Sequence, residues 1–243
     1  WRAPLDNDRY QEKVWRDSLY NIMWFRVNDY ALNNTGNEVI INVNGVLSPP
    51  KFMKMFEVNI KYTVYPDGVM QVYAALLPDR KDLPHIPSFG LMAELKKQFN
   101  NIKWYGLGPD ENYCDFKESQ FVGIYSKTVD ELCGYTVYPQ GGGNRTEVRW
   151  AEITDDNGCG LYIQADNKLL NINASHYKME DIEKFQHREE MVKSNTTQLF
   201  IDGYVTGAGG NSLLVPPYDT IYRIIADKKL EYSFYIKPIE KTK

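Results

Sequence analysis

Acidic side chains are the first residues of this 243-residue chain to examine for chemistry. Hydrolysis of a glycoside uses two carboxyl groups, which in retaining enzymes lie about 5–5.5 Å apart across the scissile bond. Adjacent acids on a strand point to opposite faces, and adjacent acids in turns are usually solvated. We therefore predict no assembled catalytic pair in this chain. The close acidic pairs are Asp6/Asp8, Asp110/Glu111, Asp155/Asp156 and Glu189/Glu190.

Histidine and cysteine offer few further candidates for catalysis or metal binding. The chain has three histidines and three cysteines, and neither set has a metal-ligand spacing such as H-x-x-x-H or C-x-x-C. The sequence also lacks a G-x-S-x-G elbow, a phosphate loop and a dinucleotide fingerprint. We predict no metal site, and we interpret the cysteines as core residues. These six residues are His85, His176, His187, Cys114, Cys133 and Cys159.

The elements that position these side chains are mostly strands. From Phe56 to Val64 every second residue is apolar, which places one face on a core and the other in water. The turn signal Pro66-Asp67-Gly68 follows, and the alternation resumes at Met70. This pattern predicts an antiparallel hairpin.

Similar strand patterns recur along the chain, whereas helical patterns are limited to Tyr10–Ser18 and Met179–Met191. A (βα)₈ barrel is excluded because the strands are not followed by helices. We predict an all-β chain that folds as a large antiparallel β-sandwich, with residues 1–243 in a single domain. The other predicted strands are Trp24–Val27, Glu38–Val43, Ile102–Tyr105, Tyr135–Tyr138, Val148–Thr154, Gly160–Ala165, Leu169–Ala174, Gln198–Ile201, Asp219–Ile225 and Tyr232–Ile236.

Charge and composition exclude several classes of partner. The net charge is −4 and the pI is near 5.5, without a Lys/Arg cluster, so we expect no nucleic-acid partner. No apolar run approaches the roughly 20 residues that cross a bilayer, so we expect no membrane partner. The chain starts at Trp1 rather than at Met, and we expect it to be part of a longer polypeptide. Its cellular compartment is therefore left open.

Aromatic residues are numerous, with 18 tyrosines and 5 tryptophans. The C–H faces of a pyranose pack well on aromatic rings, so this content favours a carbohydrate as the substrate class. At any single position, however, a role as a strand or core residue is the better interpretation.

Four sequence blocks, in order, resemble the C-terminal domain of the glycoside hydrolase family 2 β-galactosidases. Trp1–Asp8 is similar to the W-R-A-P-x-D-N-D signature, and Trp104–Tyr113 to W-x-G-x-G-P-x-E-N-Y. Pro139–Trp150 is similar to P-Q-E-x-G-N-R-x-x-V-R-W, and Gly207–Gly210 to a G-x-G-G loop. The blocks fall in family order, and the stretch from the first to the last spans nearly the entire chain.

The resemblance implies a supersandwich fold like that of galactose mutarotase. It also implies a retaining hydrolase of terminal β-galactosides whose two catalytic glutamates lie on an upstream (β/α)₈ barrel. This chain would then carry no catalytic residue and no cofactor, and the Mg and Na ions of the family would lie upstream. The implied partners are that barrel, a carbohydrate substrate and a second copy of the protein in a homo-oligomer.

Two segments are expected to lie near the sugar. The resemblance implies a substrate-rim loop at Gly209, Gly210, Asn211, Ser212 and Leu214, in which Leu214 stands where enzymes that act on lactose have a stacking tryptophan. An aliphatic side chain offers no π face, so we expect binding from this loop to be weaker. We therefore expect the natural substrate to be another β-galactoside or a related glycoside, not lactose.

The segment from residue 82 to residue 90 resembles the family's loop at the active-site mouth, with an ordinary strand connection as the alternative. Gly90 would serve as a pivot there. The residues of interest in this segment are His85, Phe89 and Gly90.

Two other functions stay open. An aldose 1-epimerase would need a histidine acid and a carboxylate base, for which we consider His176 with Glu152 or His85 with Glu94. A carbohydrate-binding module without any catalytic partner is the other alternative.

Overall fold

The computed structural model describes residues 1–134, 136–209 and 220–240. Within them the chain forms thirteen strands and three short α-helices. The strands are β1 (Trp24–Asn34), β2 (Val39–Ser48), β3 (Phe56–Val64), β4 (Met70–Pro78), β5 (Ser88–Lys96), β6 (Asn101–Gly108), β7 (Phe121–Thr128), β8 (Arg145–Val148), β9 (Trp150–Thr154), β10 (Gly160–Ala165), β11 (Leu170–Ser175), β12 (Thr196–Val205) and β13 (Leu230–Ile239). The helices are α1 (Arg9–Asp17), α2 (Val129–Leu132) and α3 (Met179–Ile182).

The strands form two antiparallel sheets. The first has nine strands in the order β1-β2-β3-β4-β13-β10-β9-β6-β7, and the second has four in the order β5-β12-β11-β8. Strand content dominates and the pairings between strands are antiparallel, which confirms the predicted all-β class. The last strand, β13, lies in the middle of the large sheet, where it pairs with β4 and β10.

The predicted hairpin forms where the pattern placed it. From Phe56 to Lys61, β3 alternates between buried and more exposed residues, whereas Thr63 near its end is also buried. The strand pairs with β4 from Phe56↔Pro78 to Val64↔Met70. In the turn, the Asp67 carboxylate accepts a hydrogen bond from the Val69 amide, 3.1 Å long, and Gly68 takes a φ of +82°. A left-handed φ suits glycine, so the turn chemistry agrees with the strand pattern.

The core lies between the two sheets. Tyr232 of the large sheet is fully buried, and its hydroxyl donates to the Ile201 carbonyl of the small sheet at 2.9 Å. Gly203 permits this approach, because a Cβ there would lie 2.4 Å from the Tyr232 ring. The two sheets therefore pack closely at this point.

Several local predictions are wrong. Val148–Thr154 is not one strand, because a positive φ of 55° at Glu147 and a bend at Arg149 carry the chain from β8 in the small sheet to β9 in the large sheet. Residues 220–222 of the predicted strand Asp219–Ile225 form a 3₁₀ turn, and residues 136–138 form no strand.

Other elements differ in extent from the predictions. The predicted helix Met179–Met191 is only the single turn α3 followed by a 3₁₀ turn at Arg188–Glu190. The predictions missed β5 and β7. Half of the residues of β7 are exposed and none is buried, and its sequence does not alternate cleanly between apolar and polar residues.

Candidate functional site

The four sequence blocks converge at one end of the sandwich. Arg2 of the first block forms a two-pronged ion pair with Asp8, with N–O distances of 2.5 and 3.0 Å. The Asp8 carboxylate is completely buried and also accepts the Leu5 amide at 2.7 Å. The Arg2 guanidinium lies 5.9 Å from the ring centre of Tyr113, in the second block. This ion pair therefore joins the first two blocks.

Asn112 joins the second block to the third. It is fully buried, and its side-chain oxygen accepts the Thr146 amide at 2.8 Å. The Asn112 carbonyl accepts the Asn144 side chain at 2.8 Å, and the Asn112 amide donates to the Asn144 carbonyl at 3.0 Å. Such a buried amide needs most of its hydrogen bonds satisfied, which explains why Asn stands here.

Arg145 is a buried cation held by carbonyl groups and an aromatic ring. It is 1% exposed, and its guanidinium donates to the carbonyls of Leu132, Gly143 and Pro109 at 3.1–3.3 Å. It also lies 5.1 Å from the ring centre of Trp104. Burial lowers the pKa of Arg145 from its ordinary value. Its contacts serve structure, since the hydrogen bonds from its two terminal nitrogens all go to backbone carbonyls.

Asp115 holds the fourth block. Its two carboxylate oxygens accept the amides of Ala208 and Gly209 at 2.8 and 2.7 Å. Gly207 has to be glycine, because a Cβ there would lie 2.5 Å from the carboxyl carbon of Asp115. Asn7 adds a weak contact of 3.5 Å to the Gly209 carbonyl. The start of the predicted rim loop is therefore fixed from two directions.

We name this arrangement the motif cluster. Its buried groups fix Gly209 at its edge, where the predicted rim loop continues. The other predicted rim residues, Gly210, Asn211, Ser212 and Leu214, lie outside the described residues. The motif cluster consists of Arg2, Asp8, Asn112, Tyr113, Asp115, Asn144, Arg145 and Gly207–Gly209.

The predicted mouth loop is partly a strand. Phe89 and Gly90 lie in β5, where Gly90 pairs with Asp202 of β12. A Cβ at Gly90 would lie 1.6 Å from the Asp202 carboxylate, so glycine makes room for that side chain. Gly90 is thus held in a paired strand, and its role as a pivot stays a prediction.

His85 precedes that strand and is held against α1. Its carbonyl accepts the indole N–H of the buried Trp15 at 3.0 Å, and the two rings are 5.6 Å apart. Burial, aided by the charges of Arg223 and Arg2, lowers the pKa of His85 to about 4. His85 is therefore neutral at physiological pH and packs as a structural residue.

A cleft of about 380 Å³ opens between the sheets beside the motif cluster. Phe89, Gly90 and Arg2 line it, together with Asp202. Burial raises the pKa of Asp202 to about 7. Asp202 is the one acidic residue among the described residues that line this cleft, which therefore lacks the carboxylate pair of a retaining glycosidase.

The histidine–glutamate combinations required for an epimerase are not assembled. His176 bonds Asn100 at 2.9 Å and Thr197 at 3.2 Å, whereas Glu94 accepts the Thr196 hydroxyl at 2.7 Å. Within residues 1–134, 136–209 and 220–240, neither His176 with Glu152 nor His85 with Glu94 forms a hydrogen bond or an ion pair.

Metal and thiol chemistry have little support in the described part of the chain. There, no three His, Cys, Asp or Glu side chains come close enough to hold a metal ion. The three cysteines are free, and burial raises the pKa of Cys114 and of Cys133 to about 11, which disfavours the reactive thiolate. None of the described helices has the length and apolar character needed to cross a membrane.

Sequence reasoning missed Asp115 and Asp202. Asp115 stands two residues after the second block, and its neighbours Cys114 and Phe116 gave no periodic signal. Asp202 is a single acid directly after the predicted strand Gln198–Ile201, and β12 continues four residues beyond the end of that prediction. An acidic residue in a buried strand opposite a glycine is the signal that could have identified it.

The described part of the chain has the architecture of a two-sheet antiparallel β-sandwich, and this is the class of protein to which it belongs. A galactose mutarotase related enzyme from Lactobacillus acidophilus aligns with 90% of this chain and 72% of its own, at a TM-score of 0.40 and 8% identity. An aldose epimerase homologue from C. elegans aligns with 88% of this chain and 69% of its own, at a TM-score of 0.41 and 10% identity.

Sequence comparison identifies the family. The model described as "Beta galactosidase small chain" matches residues 1–236, and the chain belongs to this family. A β-galactosidase from Staphylococcus xylosus is 31% identical over 98% of this chain and 23% of its own length. One from Halalkalibacterium halodurans is 28% identical over 98% of this chain and 24% of its own. The chain thus spans about a quarter of the length of these relatives.

Proposed function

We propose that this chain is the C-terminal, non-catalytic domain of a retaining β-galactosidase of glycoside hydrolase family 2. The observation that carries the proposal is that the acidic side chains of the motif cluster are already bonded to other groups of the protein. Asp8 is committed to Arg2 and Asp115 to two backbone amides, so neither is available as a nucleophile or proton donor. The relatives that bear the name β-galactosidase are about four times longer, which leaves room for the catalytic carboxylates elsewhere.

The motif cluster would serve the reaction by presenting the rim loop. Asp115 fixes the backbone at Ala208 and Gly209, and a fixed starting point restricts where the following residues can reach. In this proposal the loop borders the sugar site of the upstream (β/α)₈ barrel. Leu214, at the position of the stacking tryptophan, would cover a sugar without a π face, so binding from this loop would be weaker. The natural substrate would then be a β-galactoside other than lactose or a related glycoside.

The remaining partners follow from the same proposal. The Mg and Na ions of the family would be bound upstream of Trp1, and the complete protein would form a homo-oligomer. Residues 1–243 would act as a single domain within it.

Kinetics of the complete protein test the proposal. The Asp115→Asn change replaces one of the two acceptors of the loop amides with a donor, so we expect KM for nitrophenyl β-galactoside to rise about 3- to 10-fold, with a smaller change in kcat. Asp29→Asn, on the exposed strand β1, is the matched control and is expected to leave both constants unchanged.

The isolated 243-residue chain provides the second arm. After its folding is verified by near-UV circular dichroism, we expect it to show no turnover of the same substrate. Turnover that persists through repeated purification would contradict the non-catalytic role. An unchanged KM in a folded Asp115→Asn protein would contradict the role of the rim loop.

A further inference from the structure

Three aromatic rings form a row on the outer face of the large sheet. Tyr105, Trp150 and Tyr162 lie on the adjacent strands β6, β9 and β10. The ring centres of Tyr105 and Trp150 are 6.3 Å apart, and those of Trp150 and Tyr162 are 5.9 Å apart. Their strand neighbours Trp104 and Ala151 are buried in the core, so alternation places this row, which we name the aromatic platform, on the opposite face.

Polar groups surround the aromatic platform. The Lys103 ammonium lies 5.7 Å from the ring centre of Trp150, and the Arg149 guanidinium lies 5.4 Å from that of Tyr105. Gln164 is exposed and lines the same depression, whose volume is about 540 Å³. Donors, acceptors and ring surfaces therefore occur together within one shallow site.

The polar atoms of the aromatic platform differ from those of the core aromatics. In the core, the Trp104 indole donates to the Leu107 carbonyl at 3.0 Å, and the Tyr232 hydroxyl donates to the Ile201 carbonyl at 2.9 Å. Within the described residues, no hydrogen bond is made by the Trp150 indole N–H or by the hydroxyls of Tyr105 and Tyr162. These groups face outward and are free to bond a ligand.

We propose that the aromatic platform is a binding surface for chains of β-linked pyranoses, separate from the rim loop. The C–H faces of a pyranose ring pack against aromatic rings, while its hydroxyls take up donors and acceptors at the ring edges. The spacing of about 6 Å between ring centres lets neighbouring parts of one sugar chain contact two rings.

Native gel electrophoresis of the complete protein, in gels containing β-1,4-galactan, measures this binding directly. Isopropyl thiogalactoside is included to occupy the proposed hydrolytic site, so retardation reports a second site. We expect galactan to retard the wild-type protein, and Trp150→Ala to weaken the apparent affinity about 5-fold, the equivalent of about 1 kcal/mol for one ring contact. Trp24→Ala, at an exposed tryptophan on β1, is the matched control and should be retarded like wild type.

Each outcome bears on the proposal. Absence of retardation, or equal retardation of Trp150→Ala and Trp24→Ala proteins, overturns it. Tyr162→Ala provides a second variant should Trp150→Ala fail to fold, and melting temperatures identify that case. If light scattering shows that Trp150→Ala changes the oligomeric state without changing retardation, the rings contact another protein copy and the sugar assignment is wrong. The hydrolytic assay is independent of these readouts, so failure here leaves the proposed function untouched.

Discussion

The motif cluster and strand β1 invert the usual relation between polarity and burial. In the motif cluster, Asp8 and Asn112 are 0% exposed and Arg145 is 1% exposed. Along β1 every residue is exposed, with Trp24 at 68% and Leu32 at 65%. Charged groups are thus inside the molecule at one site, and large apolar groups are outside at the other.

The difference shows what each region contributes to stability. A buried carboxylate or amide is tolerated only when its hydrogen bonds are satisfied, so loss of one partner is costly. An exposed apolar side chain has little burial free energy to lose. Hydropathy alone would therefore predict that substitutions on β1 destabilise the fold more than substitutions in the motif cluster, whereas the structure indicates the reverse. The free energies of unfolding of variants in each region measure this difference.

The largest expected effect is at the buried ion pair. Asp8→Asn removes the carboxylate that balances Arg2 and weakens the acceptor of the Leu5 amide. Breaking a buried pair from one side leaves the other charge uncompensated, so we expect a loss of about 3–5 kcal/mol in the free energy of unfolding, measured with urea.

The exposed pair Lys13–Asp17 provides the control, since both of its side chains are more than 60% exposed. We expect Asp17→Asn to cost less than about 1 kcal/mol. Equal losses in the two variants would show that burial does not distinguish the pairs.

A second prediction concerns Asp202, which is half-buried and makes no side-chain hydrogen bond to a described residue. Burial raises its pKa from 3.8 to about 7, so the folded chain keeps a proton that the unfolded chain releases between about pH 4 and 7. The free energy of unfolding therefore falls as the pH rises through this interval. We expect Asp202→Asn to be more stable than wild type at pH 8, by up to about 4 kcal/mol, and to lose this advantage near pH 3.

His85 acts in the opposite direction over part of the same range. Burial lowers its pKa from 6.5 to about 4, so the unfolded chain binds a proton that the folded chain does not, and stability falls as the pH drops through that interval. This contribution is common to wild type and Asp202→Asn, so urea unfolding of both proteins at each pH isolates Asp202. A stability difference that stays constant with pH would refute the assignment.

Local periodicity correctly predicted strands that stay within one sheet. Phe56–Val64 and Gly160–Ala165 have the observed bounds, because each lies in the large sheet with one face on the core. Val148–Thr154 was predicted as one strand because its apolar pattern continues across Arg149, while the chain there passes from one sheet to the other. Alternation reports which face is buried, and it carries no information on which sheet a strand joins.

The candidate site was predictable only in part. The family resemblance indicated that the blocks Trp1–Asp8 and Gly207–Gly210 belong to the functional part of the chain. It did not predict that these blocks converge, because their convergence depends on contacts between distant residues. Asp115 and Ala208 are 93 residues apart in sequence and bonded in the fold. No local pattern specifies such a pair, because its partners are set by the packing of the two sheets.

The smallest expected effect is on β1 and completes the comparison with the motif cluster. Leu32 is 65% exposed, so Leu32→Lys should change the free energy of urea unfolding by no more than about 0.5 kcal/mol. Ile153→Ala, at a residue that is 0% exposed in the core, is the contrasting variant and should cost about 2–5 kcal/mol. A loss above 2 kcal/mol in Leu32→Lys would mean that β1 contributes apolar burial to this chain. The surface of β1 would then not be available for other contacts. If the loss stays small, the apolar surface of β1 is dispensable for folding, whereas the charges buried in the motif cluster are not.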